Sequence, residues 1–117
     1  MKNAIHLIQR DPKLVPKPVC PKDPDSLWAS GYWAVTESTS RRLVGGMIYF
    51  HERQDGRSKR GGEIVGYELV GSGVWAGRII FRFREDSSAR GVLTGREGWA
   101  MEKKIVREPV TQHDINN

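Results

Sequence analysis

The clearest alternation in the chain lies between Arg78 and Arg84. Ile79, Phe81 and Phe83 point one way, and Arg78, Ile80, Arg82 and Arg84 the other. That pattern predicts a strand with one apolar and one wet face. A second strand is predicted from Met47, where Met47, Tyr49, His51 and Arg53 share one face and Ile48, Phe50 and Glu52 the other. Both faces begin apolar and turn polar at the same end, as expected for a strand buried at its root and exposed at its tip. The stretch 3–9 reads as a short strand with Ile5 and Leu7 opposite His6 and Ile8. Glu63–Val70 reads as a strand with Val65, Tyr67 and Leu69 on its core face. Gly31–Val35 reads as an aromatic strand following a loop or helical turn at Ser26–Ser30. Two last strands are expected over Gly91–Thr94 and Trp99–Val106, broken around Gly95–Gly98.

One helix is predicted. Thr36 is a suitable N-cap, Glu37 faces the positive end of the helix dipole, and Arg41 and Arg42 suit the negative end. Gly45 should stop the helix after Leu43 or Val44. Between Asp11 and Asp25, prolines at 12, 16, 18, 21 and 24 exclude helix and any central strand. An extended surface arm is expected there, anchored by Leu14, Val15 and Val19. The residues from Arg107 to Asn117 read as a frayed tail.

Five to seven short strands and one short helix in a 117-residue chain give a single domain, mainly β with one short helix (α+β). A helix inserted between two early strands suggests a small mixed, partly open β-barrel with the helix plugging one side. The 13 glycines favour turns and strands over a bundle. Cys20 is the only cysteine, which excludes an internal disulfide. No apolar run reaches membrane-spanning length, and Ala4–Ile8 is too short for a signal-peptide core, so no membrane association and a cytoplasmic location are expected.

Charge narrows the picture. The net charge is +5 and the isoelectric point about 9.7, a mild bias compatible with a polyanionic partner. Much of the excess is local, because Arg41, Arg42, Arg53, Arg57, Lys59 and Arg60 face only Glu52 and Asp55 between positions 41 and 60. The flexible loop Gln54–Gly62 carries half of those cations.

Gly31-Tyr32-Trp33-Ala34-Val35, a short helix, Gly46-Met47-Ile48-Tyr49-Phe50-His51, a basic loop and Gly62-Glu63-Ile64-Val65-Gly66-Tyr67 follow one another in an order that resembles the PUA-like superfamily. Tyr32-Trp33 is similar to the start of EVE domains, and Gly62–Tyr67 to the strand entering the barrel in ASCH and EVE domains. The resemblance spans roughly residues 26–106. It implies a nucleic-acid or modified-base pocket between barrel and helix. The ASCH signature Gly-x-Lys-x-x-Glu-x-Arg is absent, so no hydrolytic residues carry over.

Candidate chemistry concentrates in three groups. His51-Glu52-Arg53 offers a base-edge reader or an acid/base pair, against the alternative of a solvated strand end paired with Arg84 or Lys103. Trp28, Tyr32, Trp33, Trp75 and Trp99 offer stacking platforms, against the alternative of core filling. Arg78, Arg82 and Arg84 offer a phosphate-tracking stripe extended by Arg53, Arg57, Lys59 and Arg60, against the alternative of a solvated strand face. His6, His51, His113 and Cys20 show no metal-ligand spacing, and no phosphate loop or nucleophile elbow is present, so neither cofactor nor metal is expected. The favoured reading is a non-catalytic binding module for RNA, DNA or a modified nucleotide. Tyr32, Trp33, His51, Arg53 and Trp99 would meet the base, and Arg41, Arg42, Arg57, Lys59, Arg60, Arg82 and Arg84 the backbone. The alternatives are a protein-interaction or homodimeric accessory protein using the Trp75 region, and a small hydrolase of modified nucleosides using His51 and Glu52.

Overall fold

Residues 3–10 and 15–107 are described here, from a computed structural model. The elements in chain order are β1 (Ala4–Ile8), β2 (Lys17–Pro18), β3 (Trp28–Ala29), α1 (Glu37–Leu43), β4 (Met47–His51), β5 (Arg60–Leu69), β6 (Ile79–Glu85) and β7 (Lys103–Val106), with a 3-10 turn at Ser87–Ala89. All seven strands belong to one sheet in the order β2-β3-β6-β5-β4-β1-β7. The sheet is mixed: β1 runs parallel to β4 and antiparallel to β7, and every other pairing is antiparallel. It is also open, since among the described residues no pairing joins β2 to β7.

One face carries the apolar core of Ile5, Leu7, Trp33, Val35, Leu43, Ile48, Phe50, Ile64, Ile79, Phe81 and Phe83. The alternation of β6 is realised, with Ile79, Phe81 and Phe83 fully buried. Each such side chain contributes about 1.5–3 kcal/mol by leaving water. The helix forms where its caps place it. Thr36 accepts the amide of Thr39, Leu43 turns into the core, and Gly45 adopts φ 89° just past the end.

The phase of β5 differs from the pattern. The pairing register shifts between Ile64 and Gly66, which makes Val65 an extra residue on that strand. Ile64 therefore takes the core position before the shift, Tyr67 packs against the core after it, and Val65 is exposed. Leu69 lies beyond the core and is 47% exposed. Strand β5 also begins at Arg60, inside the expected loop, because Gly61 and Gly62 allow close approach of its neighbours. A Cβ at Gly61 would lie 2.1 Å from the Ile48 carbonyl oxygen, and one at Gly62 would lie 1.9 Å from that of Arg84.

The strand expected at Gly31–Val35 lies earlier, at Trp28–Ala29. Ser30 holds both of the next backbone positions of Phe81, through its amide to the Phe81 carbonyl and its Oγ to the Phe81 amide. Downstream only Trp33 returns, in a single bridge to Ile79. The arm is anchored by buried Pro16 rather than by Val15 and Val19, which are exposed, and Leu14 lies outside the described residues. Its Lys17–Pro18 pair forms the sheet's edge, a position proline tolerates. No strand forms at Gly91–Thr94. The expected last strand is shortened to β7 by a tight turn, in which Ala100 bridges Lys103 and Met101 sits at φ 57°. The expected tail lies outside the described residues except for exposed Arg107. Among the described residues no helix is long and apolar enough to cross a membrane.

Candidate functional site

Strand alternation puts Ile5, Leu7, Ile48 and Phe50 into the core and turns His6, Tyr49 and His51 to the opposite face. The parallel register sets His6 beside Tyr49 and Ile8 beside His51, and β7 sets Lys104 beside His6. That face is covered, and His6 and His51 are 4% and 1% exposed. The expected exposed strand tip is therefore corrected: the following loop folds back over His51, and Trp99 closes from the other side.

The two histidines are bonded to each other. His6 Nδ1 lies 2.8 Å from His51 Nε2, and His51 Nδ1 lies 2.8 Å from the Gly56 carbonyl oxygen. A carbonyl only accepts, so His51 carries its proton on Nδ1, and its Nε2 accepts from His6 Nδ1–H. Tyr49 stacks on His6 at 4.7 Å and 18°, and Trp99 meets the His51 ring edge-on at 5.8 Å and 89°. Burial, then His51, then Lys104 hold the His6 pKa down at about 4. Burial also lowers that of His51, partly offset by the Gly56 hydrogen bond. Both rings are neutral near neutral pH. Burial, with the Asp86 carboxylate, raises the Tyr49 pKa.

Two clefts adjoin this cluster. One, of about 290 Å³, is lined by Val15, Pro16, Phe50 and His51 with Gln9, Glu52, Lys59 and Arg60. The other, of about 370 Å³, is lined by Arg53, Gly56, Arg57, Ser58, Gly91, Glu52 and Lys59. Lys59 and Glu52 border both. The second cleft is held from below by Ser58, which is 3% exposed. Ser58 Oγ donates to the Ala89 carbonyl and accepts the Val92 amide, while its backbone bonds Val92 and Gly91. Arg57 reaches over to the Gly91 carbonyl at 2.9 Å.

The residues singled out from the sequence fall into separate places. His51 and Trp99 meet, and Arg53, Arg57 and Lys59 share a cleft beside them. Trp33 is 7% exposed and belongs to the core, which removes it as a stacking platform. Tyr32 stacks on Trp75 at 5.1 Å and 4°, with Arg78 5.7 Å from the Trp75 ring. His51 has both nitrogens occupied and cannot read a base edge as expected. It also meets neither Arg84 nor Glu52: Glu52 pairs loosely with Lys59 at 4.0 Å, and Arg53 pairs with Asp55 at 3.1 Å. The phosphate stripe is broken up as well. Arg82 pairs with Glu68 at 2.7 Å, and Arg60 pairs with Glu85 at 2.6 Å while lying 4.2 Å over Trp28. Arg84 lines a different cleft, with Trp28 and Asp25, and Arg41 and Arg42 stay on the exposed side of α1.

His6, Tyr49, Pro16 and Lys104 were not singled out by the sequence. The one available signal was that His6 and His51 both occupy the non-core face of apolar strands. No cluster of three or more metal-binding side chains occurs among the described residues. Comparison with known protein families, with characterised proteins and with solved structures gave no match to this chain.

Proposed function

We propose that the chain is a non-catalytic binding module for a nucleotide unit of RNA or DNA, modified or not. The observation that carries this reading is the pair of clefts that meet at Lys59, one apolar-lined and one cationic. A base suits the walls of Val15, Pro16 and Phe50, and its phosphate suits Arg53, Arg57 and Lys59. A volume of about 290 Å³ stands at the lower end of small-molecule sites, which begin at roughly 300 Å³. The reading also accords with the PUA-like resemblance, for which a strongly curled version of this sheet is the proposed fold. Binding is favoured over hydrolysis because Glu52 and His51 are engaged with different partners.

The test is a fluorescence-anisotropy titration with labelled single-stranded and duplex oligonucleotides at low salt. The expected result is binding whose logarithmic salt slope is about −0.7 for each phosphate engaged on a single strand. Replacing Arg57 and Lys59 together by alanine should lower both the affinity and the slope. Absence of binding at low salt ends this reading.

A second reading, a protein contact surface around Trp75, is favoured by its chain neighbour Val74, which is 93% exposed. Sedimentation velocity that shows only monomer at high concentration would remove its self-association form.

A further inference from the structure

The cationic cleft has a definite charge. Arg53, Arg57 and Lys59 line it with one carboxylate, Glu52, a balance of three minus one, or +2. The carboxylates that touch these cations hold them loosely. Glu52 lies 4.0 Å from Lys59, and Asp55 pairs with Arg53 at 3.1 Å. All four side chains are mostly in water, where such pairs are weak and yield to a more highly charged anion. Arg57 reaches a neutral oxygen, the Gly91 carbonyl. The cations at the borders are held differently. Arg60 lines the apolar cleft, and Arg90 precedes Gly91 on the wall of the cationic one. Both pair with Glu85, at 2.6 and 3.7 Å, and the Glu85 side chain is only 24% exposed. Arg60 is further engaged over the Trp28 ring. One half-buried carboxylate thus takes up the cation on either side, and the available positive charge is confined to a single cleft of about 370 Å³.

The interior of a polynucleotide spreads its charge, with one negative charge on each successive phosphate, and proteins that follow it do so with a run of cations along a groove. Here the bordering cations are already neutralised by Glu85. A phosphomonoester instead gathers about −1.5 to −2 charge and three acceptor oxygens at one point. That concentration matches a cleft whose lining sums to +2. We infer that the cationic cleft takes a terminal phosphomonoester, so that the ligand is a mononucleotide or the phosphorylated end of a strand rather than the interior of one. The inference rests on the nucleotide-binding reading and narrows it: the base keeps the apolar cleft, and the kind of phosphate is what is new.

The experiment uses the full chain and a short oligothymidylate labelled with fluorescein at one terminus. The other terminus ends in a hydroxyl, a phosphate or a methyl phosphate. The methyl phosphate keeps the group in place and removes its second charge. Anisotropy at fixed ionic strength should show the phosphate-ended strand binding about tenfold more tightly than the other two, the scale of one added hydrogen bond to a charged group. A second set, labelled at the opposite terminus, tells which end of the strand is taken, and the preference at either end supports the inference. Arg53→Gln and Lys59→Gln together change two exposed side chains and should reduce the preference to less than about threefold. If phosphate and methyl phosphate ends bind equally in both sets, the inference is overturned while the nucleotide reading stands. A tenfold preference that survives the double replacement also overturns it, because the phosphate then lies outside this cleft. If no strand of either set binds, the nucleotide reading falls and takes the inference with it.

Discussion

Acid should unfold this protein earlier than its carboxylates alone would dictate, and His6 supplies the reason. Its pKa is 6.5 when unfolded and about 4 in the fold. Between those values the unfolded chain binds a proton that the native state refuses, so stability falls as the pH falls. The contribution is fully present above the unfolded value, drains away through the window, and is gone below the folded one. At about 1.4 kcal/mol per pKa unit, that gap amounts to about 3 kcal/mol. This is a large share of the ~5–15 kcal/mol that stabilises an ordinary domain. The cause is physical enclosure: His6 is 4% exposed, its Nδ1–H is committed to His51, and Lys104 is paired opposite it on β7. Tyr49 stacks on the same ring, and Asp86, beyond Tyr49, brings a carboxylate to that side. His51 is hydrogen-bonded to the same ring, and burial shifts its pKa in the same direction. Urea denaturation followed by tryptophan fluorescence would measure the effect. With a slope of about 2 kcal/mol per molar, the midpoint should drop by about 1.5 M between about pH 7 and pH 4. The control is His6→Asn, which no longer titrates at that position and should give a visibly flatter curve over the same window. Parallel curves for the two proteins would refute the reasoning, whatever their offset.

Other perturbations should separate structural from incidental contacts. Gly61→Ala places a methyl group against the Ile48 carbonyl oxygen and should cost about 3 kcal/mol or more by chemical denaturation, because backbone must move. Ser58→Ala leaves the Ala89 carbonyl and Val92 amide without their side-chain partner and should cost about 1–3 kcal/mol, with faster amide exchange in the 56–58 loop. Glu68→Ala breaks the exposed pair with Arg82 and should change thermal stability by less than about 1 kcal/mol.

The features visible in the sequence are those fixed by near neighbours. The alternation at Ile79, Phe81 and Phe83 marks β6 because one face of a strand repeats every second residue. Thr36 and Gly45 mark the ends of α1 because caps act within one turn. The phase of β5 was hidden by the extra residue Val65, which a pattern of apolar positions cannot distinguish from regular alternation. The strand at Trp28–Ala29 was hidden because its partners are Phe83 and Arg82, more than fifty positions on. The candidate site was half visible. The cationic loop could be read from its charge, and His51 stood out as the polar end of a strand. Its partner could not be found, because His6 is 45 positions away and the two meet only through the parallel pairing of β1 with β4.

The position of β1 also has a consequence for how the chain comes into being. The strand Ala-Ile-His-Leu-Ile is made before both of its partners, β4 and β7, and the second of these ends at Val106. During synthesis, at about 5–20 residues per second, this five-residue segment has no partner strand until β4 is complete at His51, and its other edge stays uncovered until β7 has emerged. It is apolar except for one histidine, and it is the kind of short segment that pairs with copies of itself when left uncovered. The β7 edge of β1 is thus the part of the sheet that stays uncovered longest as the chain is made.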